Sequence, residues 1–139
     1  MVVITMVTLA RCNNPPGLEV EVDPPPACRV GQDVTLTVRV RNTLPTARKL
    51  TSVDFAASYL AGLVVKQVDP KPVEQATKPT LGQFVHRMDV PLAAGAEQTV
   101  NFVLHGAKAG DFGGDVTVYV DGGNFRYIAK PVRTVVTAS

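Results

Sequence analysis

Few side chains in this chain are equipped for chemistry, and they are widely spaced. His86 and His105 are its two imidazoles, and a hydrolytic site would need one of them beside a nucleophile and an orienting carboxylate. Ser52, Ser58 and Ser139 sit in no Gly-x-Ser-x-Gly setting. Both histidines fall on segments with strand periodicity, where an imidazole more often packs or faces solvent than catalyses. Gly110, Gly113 and Gly114 precede a strand rather than a helix, so they build no phosphate-cradling loop. The expectation is a chain that is not an enzyme and takes no cofactor. Asp111, Asp115 and Asp121, with Asn124, form one acidic cluster near loops, and hard oxygen ligands suit calcium. The same residue types close turns by bonding their own backbone, so turn formation is the preferred reading and no metal is expected. Zinc would need more ligands than the two cysteines and the distant histidines supply.

The cysteines carry a different kind of chemistry. Cys12 and Cys28 flank a Pro-rich hinge and could bridge if residues 13–27 fold back, a closure worth about 3 kcal/mol in the chain-entropy model. A disulfide implies an oxidising compartment; two separate thiols are the alternative. Leu9-Ala10-Arg11-Cys12 resembles a bacterial lipobox, which would make Cys12 a lipidation site, although Arg11 occupies a position that normally takes a small residue. Met1 to Ala10 (MVVITMVTLA) is uncharged and rich in β-branched residues. It is too short to span a bilayer, which takes about 20 apolar residues. It is either a first strand or the remnant of a signal or anchor.

The elements that would position these residues are strands. A chain of 139 residues can bury about two-thirds of its unfolded surface. With 45% hydrophobic and 19% charged residues it is composed to fold as one domain. Eleven Gly and eleven Pro interrupt any helical period. Leu18 to Val22 alternates until Pro24-Pro25-Pro26 stops it. Val34, Leu36, Val38 and Val40 face one way while Thr35, Thr37, Arg39 and Arg41 face the other. Further strands are predicted at Leu50–Leu60 with Val53 and Phe55 inward, at Leu63–Val68, and at Gln83–Val90 with Phe84, His86 and Met88 on one side. Others follow at Gln98–His105, at Val116–Val120, and at Phe125–Thr137 broken near Pro131. Residues 69–80 read as a crossing loop, 91–95 as a turn, 106–114 as a loop, and Asp121–Asn124 as a hairpin turn. The spacing predicts an all-β, immunoglobulin-like Greek-key sandwich of about seven to nine strands over residues 18–139. Residues 1–17 precede it as an apolar segment and tether.

The net charge is +2 and the basic residues are scattered, which argues against nucleic acid as a partner. With no Trp, three Tyr and five Phe, a sugar-stacking platform is hard to assemble.

Three stretches carry a family resemblance. They are Val30-Gly31-Gln32-Asp33 leading into Val34–Arg41 and closing on Asn42; Pro91-Leu92-Ala93-Ala94-Gly95 leading into Val100 and Phe102; and Ala109-Gly110-Asp111 feeding Val116–Val120. Over Val30 to Asp121 the chain resembles the immunoglobulin-like modules of bacterial and archaeal surface proteins. The cell-adhesion-related CARDB domain and the module associated with glycosidase carbohydrate-binding regions are examples. The resemblance implies the fold and an extracytoplasmic setting; the expectation is a non-catalytic structural or protein-binding subunit at a cell surface or in a periplasm, with the N-terminal segment as a candidate membrane tether. The alternative is an accessory domain of a larger enzyme or secretion assembly.

Overall fold

The computed structural model describes residues 17–76, 78–122 and 126–138. Ten strands follow in order: β1 (Leu18–Asp23), β2 (Ala27–Arg29), β3 (Asp33–Asn42), β4 (Arg48–Ala56), β5 (Leu63–Asp69), β6 (Glu74–Gln75), β7 (Gln83–Leu92), β8 (Glu97–Gly106), β9 (Gly110–Val120) and β10 (Tyr127–Thr137). A 3-10 turn, Tyr59–Ala61, joins β4 to β5. The strands form two sheets, β1-β3-β8-β5 and β2-β10-β9-β4-β7-β6. The first has the strand order of the four-stranded layer of an immunoglobulin sandwich, and β10-β9-β4 is its three-stranded counterpart. The immunoglobulin-like fold read from the sequence is the fold observed. Two of the ten strands, β2 and β6, are edge pieces of three and two residues.

Period-two alternation does what it must in a two-layer fold. Leu36, Val38 and Val40 of β3 and Val100, Phe102 and Leu104 of β8 bury against Val53 and Phe55 of β4 and Val116, Val118 and Val120 of β9. At the centre Phe55 and Phe102 meet edge to face with centroids 4.7 Å apart. His86 closes the group at 5.5 Å from Phe55 and 5.3 Å from Phe102. Gly106 is required where β2 crosses the end of β8. A Cβ there would stand 2.6 Å from the Arg29 carbonyl oxygen, closer than real contacts allow.

Several boundaries differ from the sequence reading. Pro91 and Leu92 extend β7, with Pro91 opposite Lys49, so the turn starts later than residue 91. Gly106 closes β8 and β9 starts at Gly110, which leaves a loop of only 107–109. β10 runs unbroken through Pro131, paired to Asp115 on β9. Among the described residues β2 joins β10 only at Val135–Thr137, and none pairs with Pro131 on that edge, where a missing N–H leaves nothing unpaired. β2 itself emerged from a Pro-rich stretch with no strand signal.

The crossover between sheets is held by a buried relay. Tyr59 donates its hydroxyl to Thr134 Oγ1 at 2.7 Å, and Thr134 donates onward to the Pro25 carbonyl at 2.6 Å. Removing the first donor by Tyr59→Phe should cost about 1 kcal/mol. It would be seen as a lower urea midpoint at unchanged slope, and an unchanged midpoint would deny the relay a role.

Candidate functional site

The residues singled out for chemistry do not converge. His86 is buried, and its Nδ1 lies 3.1 Å from the Val53 carbonyl, which makes Nδ1–H the donor. Burial lowers its pKa and keeps the ring neutral. His105 lies on the opposite sheet, paired to Asp33 Oδ1 at 2.7 Å. Among the described residues no serine or cysteine bonds either ring. Ser52 donates to Asp54 at 2.8 Å and Ser58 to the Gly113 carbonyl at 2.7 Å, while Ser139 lies outside the described residues.

Asp111 and Asp121 stand at opposite ends of β9, about 33 Å apart at strand rise, with Asp115 between them. Asp111 is held by Arg133, whose hydrogen bonds keep its carboxyl below the usual range. Asp121 takes the buried Arg48 guanidinium at 3.0 Å. No group of three metal-ligating side chains occurs among the described residues. Cys28 is buried in β2, where desolvation pushes its thiol pKa up. Cys12, Asn124 and the Met1–Ala10 segment lie outside the described residues.

The feature that residue-by-residue inspection missed is the outer face of the six-stranded sheet. Asp54 follows Val53 in β4 and so points away from the core, yet it is only 5% exposed. Ser52 Oγ and the His86 backbone N–H bond its carboxylate, but burial outweighs them and raises its pKa to about 6. Beside it Tyr119 donates to Gln83 Oε1 at 3.3 Å, and Gln83 donates to Thr117 at 3.3 Å. Burial, and then the nearby Asp54 charge, raises the Tyr119 pKa. Ser52, Asp54, Gln83 and Tyr119, together with Thr51, Leu81 and Val85, line a shallow depression of about 420 Å³.

Leu81 stands over that depression. Thr80 and Gln83 exchange both backbone hydrogen bonds, at 2.7 and 3.0 Å, around a two-residue turn. Leu81 and Gly82 there have φ of 50° and 77°, the geometry of a type I′ hairpin. That geometry suits Asn-Gly. A leucine in the left-handed region is strained, and this one is 100% exposed.

A second concavity opens where the two sheets part, between β5 and the β6–β7 pair. It encloses about 540 Å³ and is lined by Leu60, Leu63, Val64, Val65, Gln75, Ala76, Phe84 and His86. Among the described residues no formally charged side chain lines it.

No protein-family model matches the chain, and no curated protein sequence matches it. Solved structures do. A cohesin module from a family 33 glycoside hydrolase of Clostridium perfringens is 8% identical with a TM-score of 0.51, covering 88% of this chain and 98% of the module. The alkylpurine DNA glycosylase AlkC of Pseudomonas fluorescens is 16% identical with a TM-score of 0.53, covering 95% of this chain and 33% of that one. The CARDB domain of the PF1109 protein of Pyrococcus furiosus is 16% identical with a TM-score of 0.48, covering 85% and 87%. Likeness at this level of identity is likeness of fold. The strand order above, with the likeness to the cohesin module and to part of the glycosylase, makes this chain an immunoglobulin-like β-sandwich, and a CARDB domain is among the solved structures similar to it.

Proposed function

We propose that the chain is a non-catalytic, protein-binding β-sandwich of a cell-surface or periplasmic assembly, and that it grips its partner with the outer face of the six-stranded sheet around Leu81. The carrying observation is Leu81 itself, a fully exposed leucine on a left-handed backbone at a turn where Asn would relax the chain. Stability does not explain that choice; contact with a partner does. Tyr119 and the 41%-exposed Tyr127, 5.6 Å apart on the same face, are the amphipathic aromatics that interface centres favour.

Leu81→Asn separates the two roles. It should raise the melting temperature by about 3 °C, from about 1 kcal/mol of released strain. As immobilised bait against the envelope fraction of the source cells, the parent chain should retain a protein that Leu81→Asn does not. Equal retention by both, or none by either, would sink the proposal.

Attachment through Cys12, by lipid or by a bridge to Cys28, belongs to the same reading. Intact mass of the native protein from membrane fractions, with and without reduction, tests it. An unmodified, fully reduced chain in the soluble fraction would remove it. The accessory-domain alternative draws on the fold's recurrence across about a third of a DNA glycosylase chain.

Among the described residues no helix is long and apolar enough to cross a membrane.

A further inference from the structure

We propose that the partner gripped around Leu81 seats a lysine side chain in the neighbouring depression, with its ammonium on the Asp54 carboxylate; this rests on the reading of the outer sheet face as the contact surface.

The charge of the depression is one-sided. Among the described residues that line it Asp54 is the one carboxylate, and none is basic. Neutral donors alone meet that carboxylate, the Ser52 hydroxyl at 2.8 Å and the His86 backbone N–H. No lysine or arginine among the described residues pairs with it. Arg87, opposite Ser52 on β7, is held by Asp89 and Glu74 at 2.8 and 3.2 Å, and Lys49 lies 3.4 Å from Asp89. A carboxylate at 5% exposure without a counter-ion is costly to keep ionised. A cation brought by a partner offsets that cost, and complementarity of this kind selects the partner and fixes its register.

The geometry favours lysine over arginine. Ser52 Oγ already occupies Oδ1 of Asp54. A guanidinium fork uses both carboxylate oxygens, whereas an ammonium is a compact point charge that needs one. Leu81 and Val85 offer apolar surface to the four-carbon stem of a lysine. The Tyr119 hydroxyl, which donates to Gln83 Oε1 at 3.3 Å, has lone pairs with which to accept from the ammonium.

The contact should weaken in acid, because lysine binds the ionised carboxylate. With the Asp54 pKa at about 6 in the free chain, roughly a tenth of it is ionised at pH 5, and affinity should be about tenfold below its value above pH 7. The other titratable or charged groups on this face, besides Lys49, are Tyr119 and Asp115 of β9, Tyr127 of β10, Arg87 and Asp89 of β7, and Glu74 of β6. Tyr119, its pKa raised by burial, stays neutral throughout. The His86 imidazole lies on the core side of β7.

Backbone amide NMR of the full chain at low ionic strength tests this, with acetyl-glycyl-lysyl-glycine amide as the probe. At pH 7.5 the peptide should give saturable shifts at Ser52, Asp54, Thr117 and Tyr119. Affinity should fall at least about tenfold for Asp54→Asn, for the peptide acetylated on its lysine Nε, and for the parent chain at pH 5. It should hold for Asp115→Asn, which removes an exposed carboxylate of the same face outside the depression. Circular dichroism and a melt confirm that both variants are folded. No saturable shift at those residues, equal affinity for Asp54→Asn, or tighter binding of the arginyl peptide would each overturn the proposal. With the envelope protein retained by the bait, acetylating its lysines should abolish retention, and reductive dimethylation, which keeps the charge, should not. Retention that survives acetylation would equally overturn the proposal. A bait that retains nothing would remove the contact surface and the lysine with it. A protein retained by the parent chain but not by Leu81→Asn, with no peptide shift, would remove the lysine alone.

Discussion

Replacing Asn42 with alanine is expected to lower the melting temperature by about 10 °C, a loss of about 3 kcal/mol. Asn42 ends β3 with no exposed surface. Its side-chain nitrogen donates to the carbonyls of Thr46, Leu92 and Ala93 at 2.8, 3.1 and 3.2 Å, and its Oδ1 accepts the Leu44 N–H at 3.0 Å. One amide thus ties the β3–β4 connection to the β7–β8 connection across 50 residues of chain. Alanine leaves the buried Leu92 carbonyl and the half-buried groups of Thr46, Ala93 and Leu44 without that partner, and an unmet buried group costs more than a made bond contributes. Aspartate is the sharper control. It keeps the acceptor for Leu44 but turns a carboxylate toward three carbonyl oxygens, so Asn42→Asp should be at least as damaging at neutral pH. Urea unfolding checks both, and a loss under 1 kcal/mol for alanine would show that water replaces the amide at little cost.

Asp54→Asn should do the opposite, with a gain that grows as pH rises from about 4 to about 6 and is full above that. The folded-state pKa of about 6 lies above the ordinary 3.8, so the folded protein binds the proton more tightly than the unfolded chain between those values. Stability contributed by this group therefore falls as pH rises from about 4 to about 6, and the full cost of a buried carboxylate applies above that. A shift of about two units corresponds to about 3 kcal/mol. Asparagine can still accept from Ser52 and from the His86 N–H, so the variant should gain about 2 kcal/mol at pH 7.5 and nothing at pH 4. His86 acts in the other sense. Its lowered pKa makes the native state lose stability as pH falls below about 6.5, equally in both proteins. The difference between variant and parent thus isolates Asp54. Parallel stability curves at both pH values would show that the carboxylate is solvated. A gain confined to high pH would mean that the chain keeps a charge on its outer sheet face against its own stability, as binding surfaces do.

Asn42 and Asp54 also show how far the residues could be read in advance. The stretch ending in Asn42 supports the family resemblance, but its reason lies in carbonyls 50 and 51 positions away, which no local pattern contains. Asp54 was legible as outward-facing, because Val53 and Phe55 claim the inward positions. Its burial was not, because Gln83 and Tyr119 come from strands paired on either side of β4. The sequence puts His86 on the same side of β7 as Phe84 and Met88; that this side faces inward, with an aromatic cage from β4 and β8, comes from the packing. Pro91 and Pro131 were read as breaks because proline withholds a donor. Whether that matters depends on which side of the strand is open, and neighbours decide it.

From the residues alone came the fold class and the longer strands with their faces, though not β2 or β6: side chains alternate at period two, burial follows the apolar row, and Gly and Pro mark most turns. Tertiary structure decided which strands are neighbours. Alternation sorts side chains into inside and outside but carries no address for a partner strand, so it could not say that β5 would end one sheet and β6 the other. The groove between those edges, the strained Leu81 above the polar face, and the pairing of Asp111 and Asp121 with Arg133 and Arg48 rather than with each other all follow from that packing.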